Sequence, residues 1–70
     1  MKITDAKSLG NAIRQRRKEL KYTQGYISVI TGLSVSFLSD LENGKSTAEI
    51  GKTIEVINLL GLDINVEARC

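Results

Sequence analysis

Residues 23–45 most constrain the fold of this chain, because they have the pattern of two short helices joined by a tight turn. Thr23 and Ser34 are residue types that cap a helix N-terminus with a side-chain oxygen. Gly32 and the pair Asn43-Gly44 suit helix ends, where a residue in the left-handed conformation stops the helix. The pattern therefore predicts helices over residues 24–31 and 35–42.

Apolar residues in this helix pair recur at spacings that bury one side of each helix against the other. The opposite side of the second helix has small and polar groups. Helix pairs of this geometry are typical of proteins that place their second helix in the major groove of DNA. The residues expected to be buried are Ile27, Ile30, Leu33, Leu38 and Leu41.

The length of 70 residues predicts one small domain, with Cys70 as the only cysteine and no histidine. Such a domain buries little apolar surface, and a partner subunit is a reasonable source of additional stability. The single cysteine and the absence of a signal peptide or a long apolar run predict a cytoplasmic protein outside the membrane. We expect no metal and no cofactor. Asp40 and Glu42 point to different sides of their helix, so the sequence offers no acid–base pair and predicts no enzyme.

Charge is unevenly distributed, although the net charge is only +2. Residues 1–21 contain seven Lys or Arg against two acids, which gives +5, and residues 22–70 contain three against six, which gives −3. The basic end is able to face a phosphate backbone, or it is simply a solvated helix face.

Asp5 is expected to cap a first helix over residues 6–21, whose apolar face has Leu9, Ile13 and Leu20. Arg16 and Arg17 lie near that face. We predict that Arg17 pairs with Glu42 as a structural ion pair, while Arg16 packs its stem and extends its head into solvent. The alternative is that both arginines are solvated.

A last helix is predicted over residues 48–60, capped by Thr47 or by a capping box between Ser46 and Glu49. The stripe Ile50, Ile54, Ile57 and Leu60 is expected to face the core. Val56 and Leu59 widen the apolar surface, which favours contact with a second copy over a broad internal contact.

Residues 62–68 alternate apolar and polar side chains, which predicts a strand. A lone strand needs a partner for its backbone groups, and the same strand of a second copy would supply one. Met1–Thr4 is the competitor within the chain. The sequence thus predicts a helical DNA-binding domain over residues 1–61 and a dimerisation tail over 62–70. The residues expected at the dimer interface are Val56, Leu59, Leu62, Ile64 and Val66.

With these residues in view, the chain resembles the lambda-repressor/Cro-like (Xre-type) helix-turn-helix family over residues 8–61. The resemblance implies a mainly α, compact four-helix domain, with a short C-terminal β-strand paired across a homodimer. Ser28 stands where a small Ala is typical of the family. The motifs that carry the resemblance are Ile13-Arg14-x-x-Arg17, Thr23-Gln24, Gly32-Leu33-Ser34 and Phe37-Leu38-Ser39, with Leu41-Glu42-Asn43-Gly44-Lys45.

Within that family the chain is most similar to the HipB-type antitoxins. The leader Ile3-Thr4-Asp5-Ala6-Lys7-Ser8-Leu9-Gly10 and the short alternating tail carry this similarity. It implies that the tail forms an intersubunit sheet, that the protein represses its own operon, and that it binds a HipA-like kinase toxin.

The resemblance also assigns expected roles on DNA. Phosphate contacts fall to Gln24, Asn43 and Lys45, with Thr23 and Lys21 as weaker candidates; for Thr23, pure capping is an equal alternative. For Phe37 the alternative is packing against the second helix. Because no Arg, Lys, Gln or Asn lies on the reading face, we expect specificity to depend on dimer spacing and DNA shape. The residues expected to read bases are Ser34, Val35, Ser36, Phe37, Ser39 and Asp40.

The expected function is that of a sequence-specific repressor of double-stranded DNA with a palindromic operator, nucleoid-associated, and a HipB-like antitoxin. One alternative is a phage or restriction-modification controller repressor without a toxin partner. Another is a protein-interaction module that docks an acidic partner on Arg14 and Lys18 of the first helix.

Overall fold

The computed structural model describes residues 2–69; Met1 and Cys70 lie outside them, and so do the parts of the predicted lead-in and tail that fall on these two residues. The described chain contains four helices, which we label α1 to α4 in chain order. None of these helices is both long enough and apolar enough to cross a membrane. Their bounds are Ala6–Glu19, Gln24–Thr31, Val35–Glu42 and Ile50–Leu59.

Helix α1 begins as predicted, because the Asp5 carboxylate accepts the backbone N–H of Ser8 at 2.7 Å. The Ser8 hydroxyl in turn accepts the N–H of Asp5 at 3.2 Å and completes a capping box. Hydrogen bonds to the Asp5 carboxylate, first from the backbone N–H of Ser8 and then from its side chain, lower the pKa of Asp5 below its usual 3.8. The helix ends at Glu19 rather than at residue 21, because Lys21 adopts the left-handed conformation with φ 62°.

The prediction for the start of α4 was wrong, because α4 begins at Ile50 and not at residue 48. Residues 45–48 form a turn in which the Ala48 N–H donates to the Lys45 carbonyl at 3.3 Å. Glu49 therefore occupies the capping position, where its side chain makes no capping bond. Neither Thr47 nor a Ser46–Glu49 capping box begins the helix.

A single apolar core joins the four helices. Leu9 and Leu20 of the predicted α1 face pack at its edge. Ile30 was expected inside but is half exposed. The buried apolar side chains are Ile13, Ile27, Leu33, Leu38, Leu41, Val56, Ile57 and Leu60.

The inner stripe of α4 is rotated from the predicted one, and this corrects one residue of the predicted dimer interface. Thr53, Val56 and Ile57 face the core, whereas Ile50 and Ile54 are exposed. Val56 is 1% exposed within its own chain, so it is not available to a second copy. Both stripes obey the helical period, because residues three and four apart share a face, so the orientation of α4 against the core decides which of them is buried.

The tail is not a strand within this chain. Among residues 2–69 no strand is formed, and residues 62–69 have no regular secondary structure. The Leu62 N–H donates to the Ile57 carbonyl at 3.1 Å, and the Leu62 side chain packs against the core. The predicted strand therefore depends on a partner outside the chain. Of the remaining predicted interface residues, Leu62 is only partly accessible, while Leu59, Ile64 and Val66 are exposed.

Candidate nucleic-acid interface

Each of the two helices α2 and α3 is capped at its N-terminus by a short-range hydrogen bond. Thr23 caps α2 by accepting the Tyr26 N–H at 3.0 Å, and Ser34 caps α3 by accepting the Phe37 N–H at 3.0 Å. Gly32 ends α2 in the left-handed region with φ 78°. Gly32 and the Ser34 cap together fix the angle at which α3 leaves α2.

Two hydroxyl groups tie the turn between α2 and α3 from within. The Ser28 hydroxyl donates to the Leu33 carbonyl at 2.5 Å. The Thr31 hydroxyl donates to the Ile27 carbonyl at 2.7 Å and accepts the Leu33 N–H at 3.1 Å. The Ser28 hydroxyl thus satisfies a carbonyl that the turn would otherwise leave to water.

The C-terminal end of α3 is stopped by Gly44, which has φ 85°. The Gly44 N–H donates to the Leu41 carbonyl at 3.1 Å, and the Lys45 N–H donates to the Asp40 carbonyl at 3.0 Å. This pair of bonds is the Schellman motif. A Cβ at position 44 would lie 2.8 Å from the Lys7 Cα, so α1 and this stop are in close contact.

The N-terminal half of α3 has an accessible outer face. Ser34, Val35 and Ser36 are exposed, and Ser39 and Asp40 are partly exposed. The face predicted to read bases is therefore open within this chain.

Phe37 differs from its neighbours on this face. It is partly buried and packs against the core, and the Lys52 ammonium lies 5.9 Å from the centroid of its ring. Lys52 belongs to α4, so Phe37 has a packing role, and its cation–π contact is with α4 rather than with the second helix named in the alternative.

A bidentate ion pair joins α1 to α3. Arg17 Nε and Nη2 donate to the Glu42 carboxylate at 2.7 Å and 2.9 Å, and Arg17 Nη1 donates to the Tyr22 carbonyl at 2.8 Å. The Glu42 side chain is 4% exposed and that of Arg17 13%. The hydrogen bond to Glu42 raises the pKa of Arg17 above its usual range. The structure thus places together the two residues that the sequence predicts as a pair.

The prediction for Arg16 was wrong. Its guanidinium does not extend into solvent alone: Arg16 Nε donates to the Leu60 carbonyl at 2.9 Å, and Nη1 lies 3.5 Å from the Glu19 carboxylate. A cation that donates to the last carbonyls of a helix stabilises that end. Arg16 therefore joins α1 to the C-terminal end of α4.

Several of the residues predicted to contact phosphate line one shallow hollow on the surface. Gln24 lies in it with its amide group donating to Glu42 Oε1 at 3.2 Å, which leaves a second N–H of that amide available. Arg14 lines the same hollow, a position that the sequence did not indicate because it depends on how α1 packs against α3. The lining residues are Arg14, Arg17, Thr23, Gln24, Glu42 and Asn43.

The remaining phosphate candidates lie outside this hollow. The Lys45 ammonium is 3.4 Å from the Asp40 carboxylate in an exposed pair, so contact with a phosphate would compete with Asp40. Lys21 is exposed in the left-handed turn after α1. The Asn43 amide donates to the Ser39 carbonyl at 2.9 Å.

Charge is absent from α2 and from residues 35–39 of α3, although α3 ends with Asp40 and Glu42. Residues 22–39 contain no Asp, Glu, Lys or Arg, whereas Lys21 and Lys45 lie in the turns that flank α2 and α3. Cations at the margin of an uncharged surface suit contact with two phosphate backbones on either side of a groove.

Comparison with known proteins agrees with this geometry. The helix-turn-helix family model HTH_3 matches residues 13–66. The chain is 36% identical over 67 residues to the HTH-type transcriptional regulator y4mF of Sinorhizobium fredii. The aligned region covers 96% of this chain and 88% of that protein. It is also 36% identical over 64 residues to the ImmF control region 10 kDa protein of Bacillus phage phi105, covering 91% and 71%.

Among solved structures, the HipA-HipB-O2-O3 complex contains a chain that superposes on this one with TM-score 0.89 at 20% identity, covering 100% of this chain and 99% of the other. At that identity the likeness shows the fold. Fold and site together define a helix-turn-helix DNA-binding protein. The chain belongs to the HTH_3 helix-turn-helix family of transcriptional regulators.

Proposed function

We propose that this protein is a dimeric transcriptional repressor that binds a palindromic operator in double-stranded DNA with the outer face of α3. The observation that carries the proposal is the exposure of Ser34, Val35 and Ser36 on a helix whose start and end are both fixed by hydrogen bonds. A rigid, accessible helix N-terminus is what insertion into the major groove requires.

The residues divide into two roles. Ser34, Val35, Ser36, Ser39 and Asp40 would face base edges, with Phe37 at the margin of this surface. These side chains discriminate bases weakly, so the separation of two half-sites and the shape of the DNA would supply much of the specificity. Phosphate contacts would come from Gln24, Asn43 and Lys45, with Thr23 and Lys21 beside them.

Substitution of Lys45 by Ala tests this division. The variant should bind all duplexes more weakly by a similar factor and reduce the salt slope of binding by about one. Its matched partners, Ser36→Ala and Asp40→Ala, should instead change which sequence is preferred. Binding to a set of duplexes from the promoter of its own gene, measured at several salt concentrations, distinguishes the two. A Lys45→Ala variant that altered preference at unchanged overall affinity would contradict the division.

The proposed homodimer uses Leu59, Leu62, Ile64 and Val66. Exposure of Leu59, Ile64 and Val66 supports this surface. Removal of residues 63–70 should yield a monomer in sedimentation experiments, whereas the full chain should sediment as a dimer. A shortened chain that remained dimeric would place the interface elsewhere.

We further propose that the repressor is the antitoxin of a toxin–antitoxin operon, acts on DNA in the cytoplasm, and binds a HipA-like kinase. The fold shared with a chain of the HipA-HipB-O2-O3 complex supports this proposal. The test is co-purification with a kinase-like protein encoded in the same operon, followed by assay of that kinase with and without this chain. Lack of binding would contradict the antitoxin role and leave the DNA-binding role standing.

A second candidate is a phage-type control protein without a toxin. The relative from Bacillus phage phi105, with 36% identity over 64 residues, favours it. The same operon experiment separates the two candidates, because a phage-type control protein has no kinase partner to bind.

A further inference from the structure

The C-terminal tail, which we define as residues 63–69, follows Leu62 and lines a shallow hollow together with residues 2–4 of the lead-in, without forming a strand with them. Leu62 is held by its N–H bond to the Ile57 carbonyl and by packing against the core. Every residue from Asp63 to Arg69 is exposed. Val66, at 89%, and Ile64, at 53%, are apolar side chains much of whose surface this chain leaves uncovered.

The tail has two chemically different faces. The Asn65 amide donates to Glu67 Oε1 at 2.7 Å, so these alternate residues lie on the same side. Asp63 and Arg69 share their parity and carry opposite charges, yet neither forms an ion pair within residues 2–69. A segment with one polar face, one apolar face and unpaired charges matches an antiparallel copy of itself.

We propose that the tails of two copies pair as antiparallel strands with Val66 on the two-fold axis. This inference rests on the proposed homodimer and adds its register. In an antiparallel pair, residues directly opposite share a face, so the position of the axis fixes every cross-strand pair.

An axis at Val66 pairs the charges favourably. It places Asp63 opposite Arg69 of the partner subunit, and by symmetry forms this pair twice. It also places Asn65 opposite the partner's Glu67, which reproduces between chains the hydrogen bond seen within one chain. Opposite charges and amide–carboxylate pairs across strands stabilise a sheet.

Three neighbouring registers are worse. An axis at Asn65 places Asp63 opposite the partner's Glu67, and an axis at Glu67 places two carboxylates opposite each other; like charges directly opposite are destabilising. An axis at Ile64 places Leu62 opposite the partner's Val66. Leu62 is not available for that pairing, because its N–H is bonded to Ile57 and its side chain packs on its own core.

Disulfide cross-linking of single-cysteine variants measures the register of the two tails directly. In a Cys70→Ser background, the variants Ile64→Cys, Asn65→Cys and Val66→Cys each place two thiols face to face for one axis only. We expect Val66→Cys to form the intersubunit disulfide at least about tenfold faster than the other two under a mild added oxidant, because opposed residues meet the distance limits of a disulfide. Fastest cross-linking by Asn65→Cys or Ile64→Cys would overturn the register.

Charge reversal provides an independent measurement. Asp63→Arg and Arg69→Asp should each raise the dimer dissociation constant by about tenfold, since each converts two opposite-charge pairs into like-charge pairs. The double variant Asp63→Arg/Arg69→Asp should return to within about threefold of the parent chain, because it restores opposite charges. A double variant as weak as the single variants would contradict the pairing of these residues.

The same measurements distinguish a wrong register from a wrong proposed homodimer. If the Cys70→Ser parent sediments as a dimer and none of the three variants cross-links, the tails do not pair about residue 64, 65 or 66, and the register is overturned while the dimer stands. If the parent is a monomer that still binds promoter DNA specifically, the proposed homodimer itself fails, and the register fails with it.

Discussion

The junction between α1 and α3 and the C-terminal tail differ in where their partners lie. At the junction, Arg17 and Glu42 satisfy each other with two hydrogen bonds, and Gly10 lies against the α3 backbone. In the tail, Val66 is 89% exposed and Ile64 is 53% exposed, so much of their apolar surface is left uncovered. The interactions of the junction are all formed within one chain, whereas the apolar side chains of the tail would need a second chain to cover them.

This difference separates stability of the domain from assembly. Changes at the junction should lower the free energy of unfolding of each subunit, and a change at Glu42 should also release the Gln24 amide that it holds. Changes in the tail should alter association and leave the subunit folded. The following predictions test first the junction and then the two ends of α1, from the largest expected effect to the smallest.

Replacement of Arg17 by Ala should have the largest effect, a loss of about 3–5 kcal/mol in the free energy of unfolding, because it leaves the buried Glu42 carboxylate without its cation. Arg14→Ala removes an exposed arginine one turn earlier and should change stability by less than about 0.5 kcal/mol. Urea denaturation of both variants measures the difference. Arg17→Ala/Glu42→Leu should recover part of the loss, since no unpaired charge remains. Equal stability of the Arg17 and Arg14 variants would contradict a structural role for the pair.

Gly10→Ala should cost about 2–3 kcal/mol of unfolding free energy, because overpacking forces the backbone apart. A Cβ at Gly10 would collide with the Leu41 carbonyl oxygen and lie 2.9 Å from that of Glu42. Gly51→Ala is the matched control, since a Cβ there meets nothing within 4 Å. It should stabilise the chain by up to about 1 kcal/mol through helix propensity. Thermal unfolding of the two variants should therefore move in opposite directions; a shift of the same sign would show that α1 is not in close contact with α3.

Lys21→Gly should stabilise the fold by about 1 kcal/mol, because glycine adopts the left-handed conformation without the steric cost of a Cβ. Lys21 has φ 62° at the end of α1. Lys21→Ala removes the same charge and keeps the strain, so it should show no such gain. The two variants should lose DNA affinity equally if Lys21 contacts a phosphate. Equal stability of the Gly and Ala variants would contradict the claim that the left-handed conformation at position 21 strains a residue with a Cβ.

The smallest effect should come from Asp5 and depends on pH. Hydrogen bonds from Ser8 lower the pKa of Asp5 in the folded chain below its usual 3.8. The carboxylate cap therefore stabilises α1 above about pH 4 and loses this contribution as the pH falls through the lower, folded-state pKa. Asp5→Asn keeps an acceptor without this titration. The melting-temperature difference between the two proteins should shrink below pH 4, and a difference that stays constant with pH would contradict the assignment.

Local patterns in the sequence predicted what local bonds determine. Thr23 and Ser34 cap their helices, and Gly44 ends α3, because each bond joins residues a few positions apart. The Arg17–Glu42 pair was accessible to reasoning because an arginine within an apolar stripe requires an anion. The start of α4 was not accessible to the same reasoning. Thr47 is a residue type that commonly caps helices, but here it lies in a turn before the helix.

Features that depend on packing between distant elements were less predictable. Nothing in the sequence around Gly10 indicates that α3 approaches it, and the position of Arg14 beside Gln24 follows from the same approach. Val56 was assigned to the wrong surface because both sides of α4 are apolar, and only the orientation of the helix decides which side is buried.

The most direct measurement is the affinity of Ser36→Asp for a duplex from the promoter of its own gene. Ser36 is exposed in the first turn of α3, where a carboxylate favours the helix, so the added charge should act on DNA rather than on folding. Asn58→Asp adds the same charge to the exposed side of α4. Ser36→Asp should raise the dissociation constant by about ten- to a hundredfold, and Asn58→Asp by less than about twofold. Equal affinities of the two folded variants would contradict insertion of α3 into the groove.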